Sequence, residues 1–175
     1  MNFYLRRFNL YLLLTALAML AGCATGKKED KPVATLRVHI ECAANVAGSG
    51  QSISVLRSEP VLVSITSTPI LSEGSIIEAT LIDAPGGGAV KVKFDEAGST
   101  TLEQFTAANP GKHLVIGGSW GEKPLIVRWL AAPIITHRIA DGTLAFTPDA
   151  TAEEAAALVQ GLNNVAKKNL KNQSK

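Results

Sequence analysis

From Ala34 to Cys42 apolar and polar side chains alternate: Leu36, Val38 and Ile40 on one side, Arg37, His39 and Glu41 on the other. Period two marks a strand with one apolar and one solvated face. The spacing therefore predicts a first strand over Ala34–Cys42, with Cys42 continuing the apolar row. Asn45–Gln51 reads as a Gly/Ser-rich loop, followed by extended stretches at Ile53–Arg57 and Val61–Thr66 on either side of Glu59-Pro60. A turn at Ser72–Ser75 leads into a strand over Ile76–Asp83. Ala84-Pro85-Gly86-Gly87-Gly88 connects it to a returning strand, Ala89–Phe94, with Val90, Val92 and Phe94 inward.

The period then changes. Asp95 can cap a helix. Gly98, Thr101, Leu102, Phe105 and Ala108 fall on one helical stripe, which Asn109-Pro110-Gly111 stops. Strands are expected at His113–Gly118 and Leu125–Leu130, joined by a loop over Ser119–Pro124. Ile134–Ile139 and Thr143–Phe146 flank Ala140-Asp141-Gly142, a hairpin signal because Asp-Gly tolerates positive φ. Thr151-Ala152-Glu153-Glu154 is a capping box. Behind it Ala155, Leu158, Val159, Leu162 and Val165 form an amphipathic helix to Lys168. The pattern predicts an α+β class: a mostly antiparallel mixed sheet with two main helices packed on one face.

The N-terminus adds an address. Arg6 and Arg7 precede an apolar run from Leu10 to Leu20, closed by Leu20-Ala21-Gly22-Cys23. That is the layout of a signal peptide, and its last four residues form a bacterial lipobox. The run is shorter than the ~20 residues of a spanning helix. Residues 1–22 are therefore expected to be cleaved, with Leu20, Ala21 and Gly22 as the cleavage recognition and Cys23 carrying lipid. Ala24 permits outer-membrane delivery, so the expected location is the cell envelope, facing the periplasm, with the outer membrane favoured over the inner. Residues 23–32 read as a polar tether, 33–168 as one domain and 169–175 as a basic tail.

The full chain has 17 basic and 15 acidic residues. Losing Arg6 and Arg7 with the signal leaves equal numbers, so no basic surface for nucleic acid is expected. The local exception is the tail with Lys167, Lys168, Lys171 and Lys175. These lysines complement a helix dipole or, alternatively, contact anionic lipid. With Cys23 lipidated, Cys42 has no intramolecular disulfide partner; its place in the alternation suggests a buried, inert thiol.

Candidate chemistry is sparse. His39, His113 and His137 lie in no metal-ligand spacing, no Gly-x-Ser-x-Gly elbow occurs, and Gly86-Gly87-Gly88 precedes a strand rather than a helix. Glu153 and Glu154 open a helix, where acids are favourable anyway. No catalytic residue, metal or cofactor is expected. Trp120, in the Gly-rich stretch Gly117–Gly121, is the one candidate partner-binding residue, although packing over a sheet edge is the favoured role for it. Trp129 reads as core.

From Glu59 to Asn164 the chain resembles the head subdomain of the first large periplasmic domain of the SecD/SecDF family. The resemblance is carried in order by Glu59-Pro60-Val61-Leu62, Phe94-Asp95-Glu96-Ala97-Gly98, Phe105–Asn109, Gly111–Ile116, Ala131-Ala132-Pro133-Ile134-Ile135, Ile139–Gly142, Phe146-Thr147-Pro148 and Glu153-Glu154-Ala155. Two departures stand out. Family members follow this domain with transmembrane helices that carry proton-coupled motion, and no such stretch occurs here after Asn164. The strand from His113 ends in Gly-Gly-Ser-Trp rather than an aliphatic run. With the lipobox placing Cys23 acyl chains in the bilayer, the resemblance implies a non-enzymatic binding module that contacts an envelope protein or an exported polypeptide. The alternative is an envelope structural or assembly factor with no export role.

Overall fold

The structure, a computed structural model, describes residues 32–43, 50–84, 87–121 and 125–173. The expected signal segment, Cys23 and all of the tether before Pro32 lie outside the described residues. So do most of the 45–51 loop, Pro85-Gly86 and Glu122–Pro124. The elements begin with β1 (Thr35–Ile40), β2 (Gly50–Val55), β3 (Val61–Thr66), β4 (Leu71–Ser72), β5 (Ile76–Ala84) and β6 (Gly87–Phe94). They continue with α1 (Glu96–Ala108), β7 (Leu114–Trp120), β8 (Ile126–Ala131), β9 (Thr143–Phe146) and α2 (Ala152–Gln173).

All strand pairing is antiparallel, and the class is α+β. The strands form three sheets rather than one: β4-β1-β7-β8, β5-β6-β9 and the ribbon β2-β3. Leu36, Val38, Ile116 and Leu130 from the first sheet and Val90, Val92 and Leu144 from the second share one core with Leu102 of α1 and Leu158 and Leu162 of α2. Ile53, Val55, Val63 and Ile65 of the ribbon form a second core around Val115. The ribbon thus covers part of the face of the first sheet that the alternation assigned to solvent. His39, expected on that wet face, is only 7% exposed.

The helices begin where their caps predict. The Asp95 carboxylate accepts from Gly98 N–H at 2.8 Å. In the capping box Thr151 N–H donates to Glu154 Oε2 (2.9 Å) and Glu154 N–H to Thr151 Oγ1 (3.2 Å). Other expectations are corrected. The buried line of α1 is Gly98, Leu102 and Thr106, whereas Phe105 and Ala108 face solvent. Thr106 belongs inside because its hydroxyl donates to Leu102 O and accepts from Ile139 N–H. Ile134–Ile139 is not a strand: Ile134 makes one bridge to His113, and β9 pairs with β6 instead. Pro133 supplies no N–H for a ladder, and the Ile139 N–H is taken by Thr106. Asp141-Gly142 is therefore not a hairpin. Its turn, with Gly142 at φ +67, brings β9 to β6, and Gly142 O accepts from Phe94 N–H at 3.0 Å. Cys42 is half-buried against Gly50 after β1 has ended and Glu41 has bridged to Ile65. α2 runs on to Gln173, so most of the expected tail is helix.

Candidate docking site

Trp120 does not lie in a loop. It ends β7, every residue of which is buried, and is itself 1% exposed. The glycines that suggested a loop are small for packing reasons. A Cβ on Gly117 would lie 2.8 Å from the Trp129 ring, and one on Gly118 would meet Leu130 Cδ1 at 3.0 Å and Thr35 O at 3.1 Å. The indole of Trp120 is covered by the Arg128 guanidinium, 5.4 Å from the ring centroid. It is therefore unavailable to a partner in this fold.

The opposite face of the same sheet is partly open to solvent. Register places Thr35, Ser119 and Val127 in one cross-strand row and Arg37, Gly117 and Trp129 in the next. These two rows and His39 line a groove of about 330 Å³. Thr35 and Ser119 share a hydroxyl–hydroxyl hydrogen bond of 2.7 Å. His39 bonds through Nδ1 to Thr66 O at 2.8 Å, and its ring meets Trp129 edge-on, centroids 5.6 Å apart. Arg37 reaches Glu73 at 3.4 Å. The ribbon closes the His39 end of the groove, and the Val127 end is open. Val127 is 78% exposed, and Leu125 and Ile126 beside it are also exposed. Leu125 immediately precedes β8, and Ile126 and Val127 open it; β8 is an edge strand whose far end is met by Asp149 N–H donating to Leu130 O at 2.7 Å.

The groove sets the apolar side chains of Val127 and Trp129 beside the polar ones of Thr35, Arg37, His39 and Ser119. Its hydroxyls and imidazole already bond within the fold, and Ser119 contacts Thr35 rather than a histidine, so no nucleophile is paired with a base. Among the described residues no group of three His, Cys, Asp or Glu side chains could hold a metal. A second hollow, about 380 Å³ between β5 and the start of α2, carries Asp83 as its one charged lining residue.

Two arginine–carboxylate pairs hold the site's frame. Arg128 grips Glu154 of α2 with both terminal nitrogens (2.8 and 3.0 Å) and also donates to Asp149 O at 2.9 Å. This fork, aided by the Thr151 N–H, holds the Glu154 carboxyl down to a pKa of about 2. Arg57, just past β2, donates its N–H to Asp149 Oδ2 at 2.8 Å and its Nε to Oδ1 at 3.0 Å. Its side chain keeps Asp149 below the usual carboxylate range. At the other end of β7, His113 Nδ1 lies 2.7 Å from Glu41 Oε2 and lowers the Glu41 pKa. Sequence reasoning missed the groove. The alternation Leu125, Val127, Trp129 was visible, but the register that sets it beside Thr35 and Arg37 was not.

Fold and site together define an α+β domain with an open, largely apolar groove on its main sheet. No protein-family profile matches the chain, and no curated protein matches it by sequence. Two solved structures share its fold. One, from a study of a membrane component SecDF that enhances protein export, aligns with TM-score 0.52 and 18% identity, covering 76% of this chain and 63% of that one. The other, SecDF in a super-membrane-facing form, aligns with TM-score 0.51 and 17% identity, covering 74% of this chain and 18% of that one. The chain thus spans less than two thirds of either. Among the described residues no helix is long and apolar enough to cross a membrane.

Proposed function

We propose that this protein is a lipid-anchored envelope protein, attached through Cys23 and facing the periplasm. In this reading it is a non-enzymatic module that takes an extended apolar segment of an exported polypeptide in the groove beside β8. The observation that carries the reading is the exposed Val127 edge of that groove, in a fold shared with SecDF, whose reported role is to enhance protein export. Backbone pairing to a sheet edge would supply affinity, and the groove would select for apolar side chains.

A photo-crosslinking residue at Val127 tests this in cells. Adducts with exported chains in transit are expected from Val127 and not from Leu62, which is equally exposed on the ribbon. Adducts only with outer-membrane assembly components would replace the reading with that of an assembly factor. Equal labelling from both positions would remove the groove from the proposal.

A further inference from the structure

The start of the described chain packs on the middle of α2. Asn164 Nδ2 donates to Pro32 O at 2.9 Å. Ala34 lies so close to Gly161 that a Cβ there would approach its Cβ to 2.7 Å. Pro32 is nine residues after Cys23, a reach of at most roughly 30 Å for an extended chain. At about 100° per residue, Lys167 and Lys168 lie within the same half of the helix surface as Asn164, opposite the buried line Ala155, Leu158, Leu162 and Ala166. Both lysines are exposed, and no acidic residue occurs after Glu154. Glu73, the acid of the turn packed against this helix, is already engaged by Arg37 and by Leu36 N–H.

We infer that the exposed face of the last turns of α2, centred on Lys167 and Lys168, docks on anionic phospholipid headgroups of the bilayer that holds the protein. The inference builds on the reading of Cys23 as the anchored residue, with Pro32 bonded to Asn164 on the same half of the helix as these lysines. Charge complementarity selects the occupant, because lysines next to an anionic surface gain attraction individually. The groove opens on the face of the main sheet opposite α2, so membrane contact and groove occupancy are compatible.

The test uses the non-lipidated chain from Ala24, which keeps the whole described fold, with vesicles of phosphatidylcholine alone or enriched in phosphatidylglycerol. Binding is expected to the anionic vesicles only and to fall with added salt. Lys167→Gln and Lys168→Gln should each weaken it roughly fivefold, at an unchanged melting temperature. Equal partition to both vesicle types, or undiminished binding by the double lysine variant, would overturn the inference. Because the probe carries no lipid, either result leaves the Cys23 reading standing. That reading is checked separately by whether Cys23→Ser accumulates as unprocessed precursor.

Discussion

At the scale of single residues, the fold depends on side chains whose roles run against their usual reading. Trp120 is buried without a hydrogen-bond partner for its Nε1 among the described residues. Replacing it with Phe therefore removes volume but no hydrogen bond. Trp120→Phe should cost about 1–3 kcal/mol and Trp120→Ala about 3–5 kcal/mol in denaturant melts. Asn163 acts as a piece of strand: its Oδ1 accepts from Ala79 N–H at 2.9 Å and its Nδ2 donates to Ala79 O at 2.8 Å. It closes the outer edge of β5 with a helix side chain, a protection that edge strands need. Asn163→Ala leaves both backbone groups unpaired and should cost about 1–3 kcal/mol. Asn163→Asp keeps the acceptor alone and should fall between, as hydrogen exchange at Ala79 would show.

At the scale of elements, α2 shows which patterns survive folding. Leu158 and Leu162 are fully buried, so truncating either to Ala should cost about 2–5 kcal/mol. Lys168→Ala on the exposed side should change the melting temperature little. A stripe as long as that of α2, opened by a capping box, is legible because every local signal agrees. β3 and β9 were legible for the same reason, their alternation lying between clear turns. The errors share one cause: long-range partners decided what local pattern could not. Thr106 counts as polar in a periodicity and is buried because Ile139 N–H needs its hydroxyl. Gly117 and Gly118 look like a loop and are strand because Trp129 and Leu130 lie across them. His39 alternates outward and is buried because the ribbon, 11 to 27 residues further on, folds over it. The groove was illegible for this reason too, since its two rows exist only through the register of β1, β7 and β8.

At the scale of the whole molecule, the sheets and α2 meet at a charged latch that makes stability depend on pH. Arg128 of β8 holds Glu154 at the start of α2, and Arg57 beside the ribbon holds Asp149 just before that helix. Glu154 has a pKa of about 2 in the folded protein, lowered from 4.5. A depressed carboxylate stabilises the fold fully above its unfolded value, and the contribution is lost as pH falls toward the folded value. The shift alone would correspond to about 3 kcal/mol, but Arg128 and Glu154 are each about a fifth exposed. Solvent screening reduces the expected contribution to about 1–2 kcal/mol. Asp149 and Glu41 are shifted in the same direction by Arg57 and His113, so their losses add in the acid range. Denaturant midpoints should therefore hold steady at neutral pH and decline between about pH 5 and pH 2. Glu154→Gln should flatten that decline while keeping the capping box, since Gln serves at the same position. A parallel decline in variant and parent would show that the Arg128–Glu154 fork contributes nothing to the latch, and that the groove's frame is held by packing against α2 alone.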